Sequence, residues 1–136
     1  MTFLSYTDTR NRLREVLDTA DGGVPIGVER HGHRVVLLDL ARLHELLADS
    51  PRLRRPEAIA EAGGWSVFLP DTPIAADGAD LDDATEEFVV ALREYAQDWV
   101  ERLRFAPNHA QHWPLVHFVS LSSDADLAAW VRGGEG

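Results

Sequence analysis

The first 48 residues constrain the fold of this chain more than any other segment, because apolar runs and turn residues follow one another there in a clear order. Two apolar runs, residues 24–29 and 34–40, flank a tight turn centred on Gly32, which predicts a β-hairpin because glycine supplies the positive φ of such turns. A strand over residues 2–6 and a short helix over residues 41–48 complete the pattern. The third strand is nearly all apolar, so we expect it to be covered on both faces.

An amphipathic helix links the first strand to the hairpin. Thr7 is predicted to cap this helix, and Asp8 lies favourably in its first turn. Gly22 and Gly23 end it, since glycine accepts the left-handed conformation that follows many helices. Four apolar residues at helical spacing predict its buried stripe: Leu13, Val16, Leu17 and Ala20.

The second half of the chain centres on one long amphipathic helix. Asp80 is predicted to cap it, and apolar residues then hold one face for about six turns, as far as Leu103. A strand over residues 65–69 precedes this helix. A strand over residues 115–121 and a last helix over residues 124–132 follow it.

Between the two halves, residues 49–64 are rich in proline, arginine and glycine, so we expect a linker that orders on a partner. The predicted fold class is therefore α+β, in two parts. Residues 1–48 form a dimerising β-α-β-β-α domain, and residues 65–136 form a second small α+β domain of strand, long helix, strand and helix.

Charge is distributed unevenly along the chain, whose formal net charge is −10. Residues 1–56 contain nine arginines and eight acidic residues, whereas residues 57–136 contain four arginines and fifteen acidic residues. This balance argues against nucleic-acid binding over the whole surface and predicts different roles for the two halves. The chain has no cysteine, which excludes disulfides and thiol catalysis; with no long apolar run, this favours a cytoplasmic protein without a membrane span.

Several cations of the first helix are candidates for nucleic-acid binding. At about 100° per residue, Arg10 and Arg14 lie on one flank of the apolar stripe, and Asn11 faces outward. Arginines near the start of a helix can meet phosphates or guanine in a major groove. The alternative is a solvated helix face whose arginines pair with Glu15 and Asp18.

A second group of cations brackets the predicted hairpin turn: Arg30, His31, His33 and Arg34. Two guanidinium groups and two imidazoles on one tip could clamp a DNA backbone, and protonation of the histidines would strengthen that clamp at lower pH. The alternative is an ordinary exposed turn.

Other clusters of polar residues give weaker indications. His109, His112 and His117 lack a matching acidic ligand at a zinc-site spacing, so no metal site is predicted. The acidic run between Asp77 and Glu87 lacks the alternating ligands of a calcium loop, and helix capping explains it better. No cofactor motif is present, so we predict neither a cofactor nor an enzyme.

Residues 3–48 resemble the N-terminal domain of the Phd/YefM antitoxins, also called prevent-host-death proteins. The matching pieces are LSYTDTRNRL at residues 4–13, VERHG at 28–32 and VVLLDL at 35–40. The resemblance implies a β-α-β-β-α unit that dimerises through its sheet and binds operator DNA. It also implies that Arg10 and Arg30 lie against the DNA.

Residues 65–104 are similar to the strand–turn–helix core of HicB-like antitoxin domains. The similar pieces are WSVFLPDTP at residues 65–73, Gly78, and LDDA at residues 81–84. We expect the toxin to contact the linker and the start of this second domain. The predicted toxin-binding residues are Leu53, Arg54, Ile59 and Trp65.

Together these resemblances predict a type II antitoxin that represses its own operon as a homodimer, or as a higher oligomer on DNA, and neutralises a toxin by direct binding. Acidic charge suits a basic partner, and an RNA-cleaving toxin of the RelE type is the expected one. The alternatives are a DNA-binding regulator without a toxin and a small carboxylate-dependent hydrolase or nuclease.

Overall fold

The computed structural model describes residues 2–133, which form two compact units, each with a three-stranded sheet and helices. Unit 1 comprises residues 1–46 and unit 2 comprises residues 47–136. The α+β class is therefore confirmed. None of the helices in residues 2–133 is both long and apolar enough to cross a membrane.

Unit 1 follows the predicted order of strands and helices. Its elements are β1 (Phe3–Ser5), α1 (Tyr6–Asn11), α2 (Leu13–Asp21), β2 (Ile26–Arg30), β3 (His33–Leu37) and α3 (Leu40–Ala48), the last of which ends beyond the unit boundary. The sheet order is β1-β2-β3, with β1 parallel to β2 and β2 antiparallel to β3. The strand ends differ from the predicted ones by a few residues.

The start of the first helix differs from the prediction. Ser5, rather than Thr7, is the cap: its hydroxyl accepts a hydrogen bond of 3.1 Å from the backbone N–H of Asp8. The predicted single helix is also interrupted at Arg12, where φ is −120° and ψ is 27°, so α1 and α2 are separate helices. The first helix therefore begins directly at the end of β1, with no connecting loop.

A two-residue turn joins β2 to β3. Both of its residues have positive φ, 52° at His31 and 79° at Gly32, and two left-handed residues define the turn type that matches the twist of a hairpin. The flanking residues Arg30 and His33 are paired across the strands. This turn fixes the register of the whole hairpin.

Burial in unit 1 is less complete than predicted. Val16 and Ala20 are buried, but Leu13 and Leu17 are each about half exposed. The β3 strand is exposed, whereas the sequence predicted that both of its faces are covered. Val35 is 64% exposed to solvent. A small sheet with three short helices cannot cover all of its own apolar side chains.

Unit 2 contains three strands followed by helices. Its elements are β4 (Glu57–Glu61), β5 (Gly64–Phe68), β6 (Ala75–Gly78), α4 (Leu81–Glu101), α5 (Trp113–Leu121) and α6 (Asp124–Val131). Two 3₁₀ turns, Leu103–Phe105 and Ala110–His112, connect α4 to α5. The strands are antiparallel neighbours in the order β4-β5-β6.

The predicted linker is wrong in its second half. Residues 57–61 form β4, an edge strand paired with β5 through the two-residue turn at Ala62 and Gly63. Gly63 has a φ of 85°, which glycine adopts without strain. The pairing partner across this turn holds these residues extended, although their own composition favours a helix.

The long helix begins and packs as predicted. The Asp80 carboxylate caps it by accepting a hydrogen bond of 2.8 Å from the N–H of Asp83. Its first turn lies directly on β6, because a Cβ at Gly78 would come within 2.2 Å of the backbone nitrogen of Ala84. The α4 face toward the sheet buries Phe88 and Leu92 almost completely.

The predicted strand at residues 115–121 is wrong, because this segment is part of helix α5. Pro114 lies in its first turn, where proline is tolerated, and Leu115, Val116, Phe118 and Val119 are all buried. The last helix is confirmed as α6, which starts with a capping box between Ser123 and Asp126. The second unit is therefore three strands and then helices, rather than strand, helix, strand and helix.

Candidate functional site

Two arginines from different elements meet on one tyrosine ring in unit 1. Tyr6 is the first residue of α1, and Arg10 lies one turn later on the same helix. Arg30 is the last residue of β2. The guanidinium carbon is 4.9 Å from the Tyr6 ring centroid for Arg30 and 6.0 Å for Arg10. Both distances lie within the range of a cation–π contact.

The hairpin places a histidine beside this group, which we call the Tyr6 cluster: Tyr6, Arg10, Arg30 and His33. Arg30 and His33 are cross-strand partners, so their side chains project from the same face of the sheet. A shallow surface cavity of about 400 Å³ lies there. Its lining residues are Tyr6, Val28, Arg30, His31, His33 and Val35.

Arg34 lies apart from this cluster, contrary to the prediction that it joins Arg30 in one clamp. It follows His33 in β3, so it projects from the opposite sheet face. There its guanidinium carbon is 4.7 Å from the Phe3 ring centroid, and its Nε is 3.7 Å from a carboxylate oxygen of Glu29. Strand alternation therefore divides the predicted cations of the hairpin between two faces.

The remaining predicted DNA-binding residues are all exposed. His31 occupies the turn and lines the cavity of the Tyr6 cluster. Asn11 ends α1, and Arg14 lies in the first turn of α2. Between them, Arg12 binds Glu15 through two hydrogen bonds of 3.0 and 3.1 Å. The Arg12 guanidinium thereby lowers the pKa of Glu15. This ion pair is the solvated pairing that the sequence pattern indicated as the alternative for this helix face.

The four predicted toxin-binding residues do not form one surface. Leu53 is only 8% exposed and belongs to the core of unit 2. Arg54 is paired with the carboxylate of Asp71. Trp65 shares its sheet face with Val67, which is completely buried beneath α4. Ile59 is 47% exposed on β4 and projects from the other sheet face.

A polar cluster in unit 2 combines one tyrosine and two histidines that the sequence pattern had not brought together. The Tyr95 hydroxyl oxygen lies 2.7 Å from Nδ1 of His112 and 2.9 Å from Nδ1 of His109. Burial raises the pKa of Tyr95. Burial, and secondarily the neighbouring His109, lower the pKa of His112. No group of three or more potential metal ligands occurs within residues 2–133.

A solved structure has the same fold as this chain. It is the crystal structure of the antitoxin part of a proposed toxin/antitoxin system from Syntrophomonas wolfei subsp. wolfei. The two chains superpose with a TM-score of 0.79 at 23% sequence identity, over 96% of each chain. At this identity the likeness establishes the fold. No curated protein sequence matches the chain.

The sequence comparison gives the family. Residues 1–131 match the profile of the PHD-like family, described as an antitoxin of RelE/RelB toxin–antitoxin systems. The match extends over nearly the whole chain, so this protein belongs to that family of antitoxins. It is accordingly a non-enzymatic regulatory protein with a toxin as its partner, and the alternative of a hydrolase is set aside.

Proposed function

We propose that this antitoxin is of the Phd/YefM type and represses its own operon by binding operator DNA as a dimer through unit 1. The observation that carries the proposal is the convergence of Arg10 and Arg30 on the Tyr6 ring. The second part of the proposal is that unit 2 neutralises a RelE-type toxin by direct binding in the cytoplasm. The likeness of residues 65–104 to HicB-like domains belongs to this second part.

The Tyr6 cluster suits phosphate or base recognition for a physical reason. A free arginine side chain loses about 2 kcal/mol of rotamer freedom when it is fixed on a ligand. Stacking on a ring restricts the arginine rotamers before the ligand binds, so less entropy is lost on binding. The N–H donors of the planar guanidinium group still face solvent. Two guanidinium groups stacked on the same ring form a prearranged pair of phosphate-binding groups.

The exposed apolar surface of unit 1 supports self-association. The β3 strand is an edge of its sheet, and Val35 and Val36 are more than half exposed on its two faces. Other large apolar side chains of the unit are also about half exposed or more: Tyr6, Leu13, Leu17, Val24, Leu40 and Leu46. A second copy would cover such a surface and place two Tyr6 clusters on a two-fold-related operator.

The charge of the second unit supports the toxin-binding part. Unit 2, residues 47–136, carries sixteen acidic residues against seven arginines. A toxin that cleaves RNA needs basic residues to hold its substrate. An acidic antitoxin unit therefore attracts the toxin and competes with RNA for those basic residues. The division of labour that we propose assigns DNA binding and dimerisation to residues 1–48 and toxin capture to the rest of the chain.

The test measures the fluorescence anisotropy of labelled promoter DNA from upstream of the gene for this chain. The DNA is titrated with the protein at a series of salt concentrations. Tight, salt-sensitive binding that exceeds binding to random DNA is expected. The double substitution R10A/R30A should weaken binding and reduce the slope of log affinity against log salt by about two, since each lost phosphate contact removes about one counterion.

The matched control is R12A/R102A, which removes the same charge from arginines paired with Glu15 and Asp98. Equal losses in the two double variants would show that net charge, and not the Tyr6 cluster, determines binding. The absence of any preference for the promoter DNA would remove the repressor role and leave unit 1 as a dimerising unit.

A further inference from the structure

The β4 strand of unit 2 has an open hydrogen-bonding edge. It pairs with β5 on one side, and it is the outer strand of the three. All five of its residues, Glu57–Glu61, are exposed. Because hydrogen bonds alternate along an antiparallel pair, every second residue of β4 directs its backbone N–H and C=O away from β5. These groups are arranged to receive another strand.

The side chains of β4 give this edge a chemical character. Ala58 and Ala60 share the sheet face of Val67, which α4 covers. Glu57, Ile59 and Glu61 project from the opposite face, so the open side shows an apolar residue between two carboxylates. On the neighbouring strand β5, Phe68 lies opposite Glu57 and Ser66 lies opposite Ile59.

We propose that the edge of β4 accepts a strand from the basic toxin, with cationic side chains opposite Glu57 and Glu61 and an apolar side chain opposite Ile59. The proposal rests on the toxin-binding role proposed above for unit 2. Backbone hydrogen bonds would provide affinity, and the alternation of charge and apolar surface would provide specificity.

Charge disfavours a second copy of this chain as the occupant. An antiparallel pair of β4 strands centred on Ile59 would place each Glu57 directly opposite the Glu61 of the other copy, on one sheet face. Like charges directly opposite one another destabilise a strand pair. The two Glu57–Glu61 pairs would place four carboxylates side by side. A strand with lysine or arginine at the same positions would instead form two opposite-charge pairs. The edge therefore favours a basic partner over itself.

The first experiment uses two synthetic strands as probes of the intact protein: acetyl-Lys-Thr-Val-Thr-Lys-amide, and the same peptide with glutamate in place of both lysines. Backbone amide signals are followed by NMR during each titration. The basic peptide should shift the amides of residues 57–61 and leave those of α4 unchanged, and the acidic peptide should shift neither. Absence of shifts in β4 with the basic peptide, or shifts spread over the acidic surface, would overturn the proposal.

A charge exchange sharpens this experiment. E57R/E61R should weaken binding of the basic peptide by about tenfold or more, and it should create binding of the acidic peptide. The control E87R/E94R makes the same change in net charge on exposed residues of α4 and should alter neither interaction. If the two double variants behave alike, general electrostatics explains the binding and the strand proposal fails.

The last arm uses the toxin itself, taken as the small basic protein encoded in the reading frame adjacent to this chain. Hydrogen exchange of the β4 amides should slow in its complex with the full chain, and E57R/E61R should weaken that complex more than E87R/E94R does. A complex whose β4 amides exchange as in the free protein would overturn the strand proposal and leave the antitoxin role intact. Failure of the two proteins to form a complex would instead overturn the proposed toxin-binding function.

Discussion

The hydroxyl of Tyr95 and Nδ1 of His112 lie 2.7 Å apart, inside the polar cluster of unit 2. A second imidazole, that of His109, contacts the same hydroxyl through its own Nδ1 at 2.9 Å. A hydroxyl has one proton to donate, so Tyr95 donates to one imidazole nitrogen and accepts from the N–H of the other. The two histidines therefore hold complementary tautomers while both are neutral.

This arrangement predicts a stability that depends on pH. Burial and His109 lower the pKa of His112 in the folded state, whereas the unfolded chain has the ordinary value of about 6.5. As pH falls below about 6.5, the unfolded chain takes up a proton that the folded chain still resists. The free energy of unfolding should therefore fall between pH 7 and pH 5, and the Tm of the protein measured by calorimetry should fall with it.

The variant His112→Asn separates this effect from other titrations. Asparagine keeps a hydrogen-bonding group near Tyr95 but does not titrate, so its Tm should change less over the same pH range. At neutral pH the variant should be less stable by about 1 kcal/mol, because one hydrogen bond is altered. Parallel pH profiles for the two proteins would contradict the assignment of the effect to His112.

The ring of Tyr6 should matter to DNA binding although it carries no charge. In Tyr6→Leu the guanidinium groups of Arg10 and Arg30 lose their shared support, which is worth about 0.5–1 kcal/mol for each exposed contact. Promoter affinity by anisotropy should fall by about fivefold to thirtyfold, with the salt slope preserved. Tyr6→Phe keeps the ring and should bind nearly as well as the parent; an equal loss in both variants would implicate the hydroxyl instead.

Gly78 should be the least replaceable glycine among those of unit 2 that the structure describes. A Cβ there would meet the backbone nitrogen of Ala84 at 2.2 Å, so α4 would have to move away from β6. Gly78→Ala should lower the free energy of unfolding by about 1–3 kcal/mol in a denaturant titration. In Gly22→Ala the nearest atom is 3.4 Å away and φ is −75°, so that control should be neutral or slightly stabilising.

The exposed valines of β3 provide a test of the proposed dimer. V35D/V36D places charge on both faces of the edge strand, and it should convert a dimer into a monomer because burying unpaired carboxylates is costly. Light scattering during size-exclusion chromatography gives the mass directly. Ile59→Asp, which alters an exposed apolar residue of unit 2, should leave the mass unchanged. A monomeric parent protein would refute the dimer outright.

Sequence patterns predicted the elements that carry their own local signals. The α4 helix has a capping aspartate, Asp80, and one apolar face, and both are readable without knowledge of the fold. The hairpin at His31 and Gly32 is similar, because the turn residues define it. In these cases the local preference and the packed structure agree.

The failures share a physical cause, which is that neighbours in space determine the result. The α5 helix buries Leu115, Val116, Phe118 and Val119, and only His117 interrupts this apolar run, so the sequence pattern does not distinguish a helix from a buried strand. The β4 strand has a helix-like composition and becomes extended because β5 pairs with it. The Tyr95 cluster joins residues from a helix and a later 3₁₀ turn, and no spacing in the sequence indicates that meeting.

The two-residue turn at His31 and Gly32 has a consequence for how this gene can vary. Insertion of a single residue between Gly32 and His33, with the two-residue turn kept, would exchange the faces of every side chain in β3, moving Arg34 toward Tyr6 and His33 toward Phe3. Insertion of two residues would restore the alternation. We expect homologous proteins to differ at this turn by substitutions or by insertions of two residues. Such changes keep each β3 side chain on its own face of the sheet.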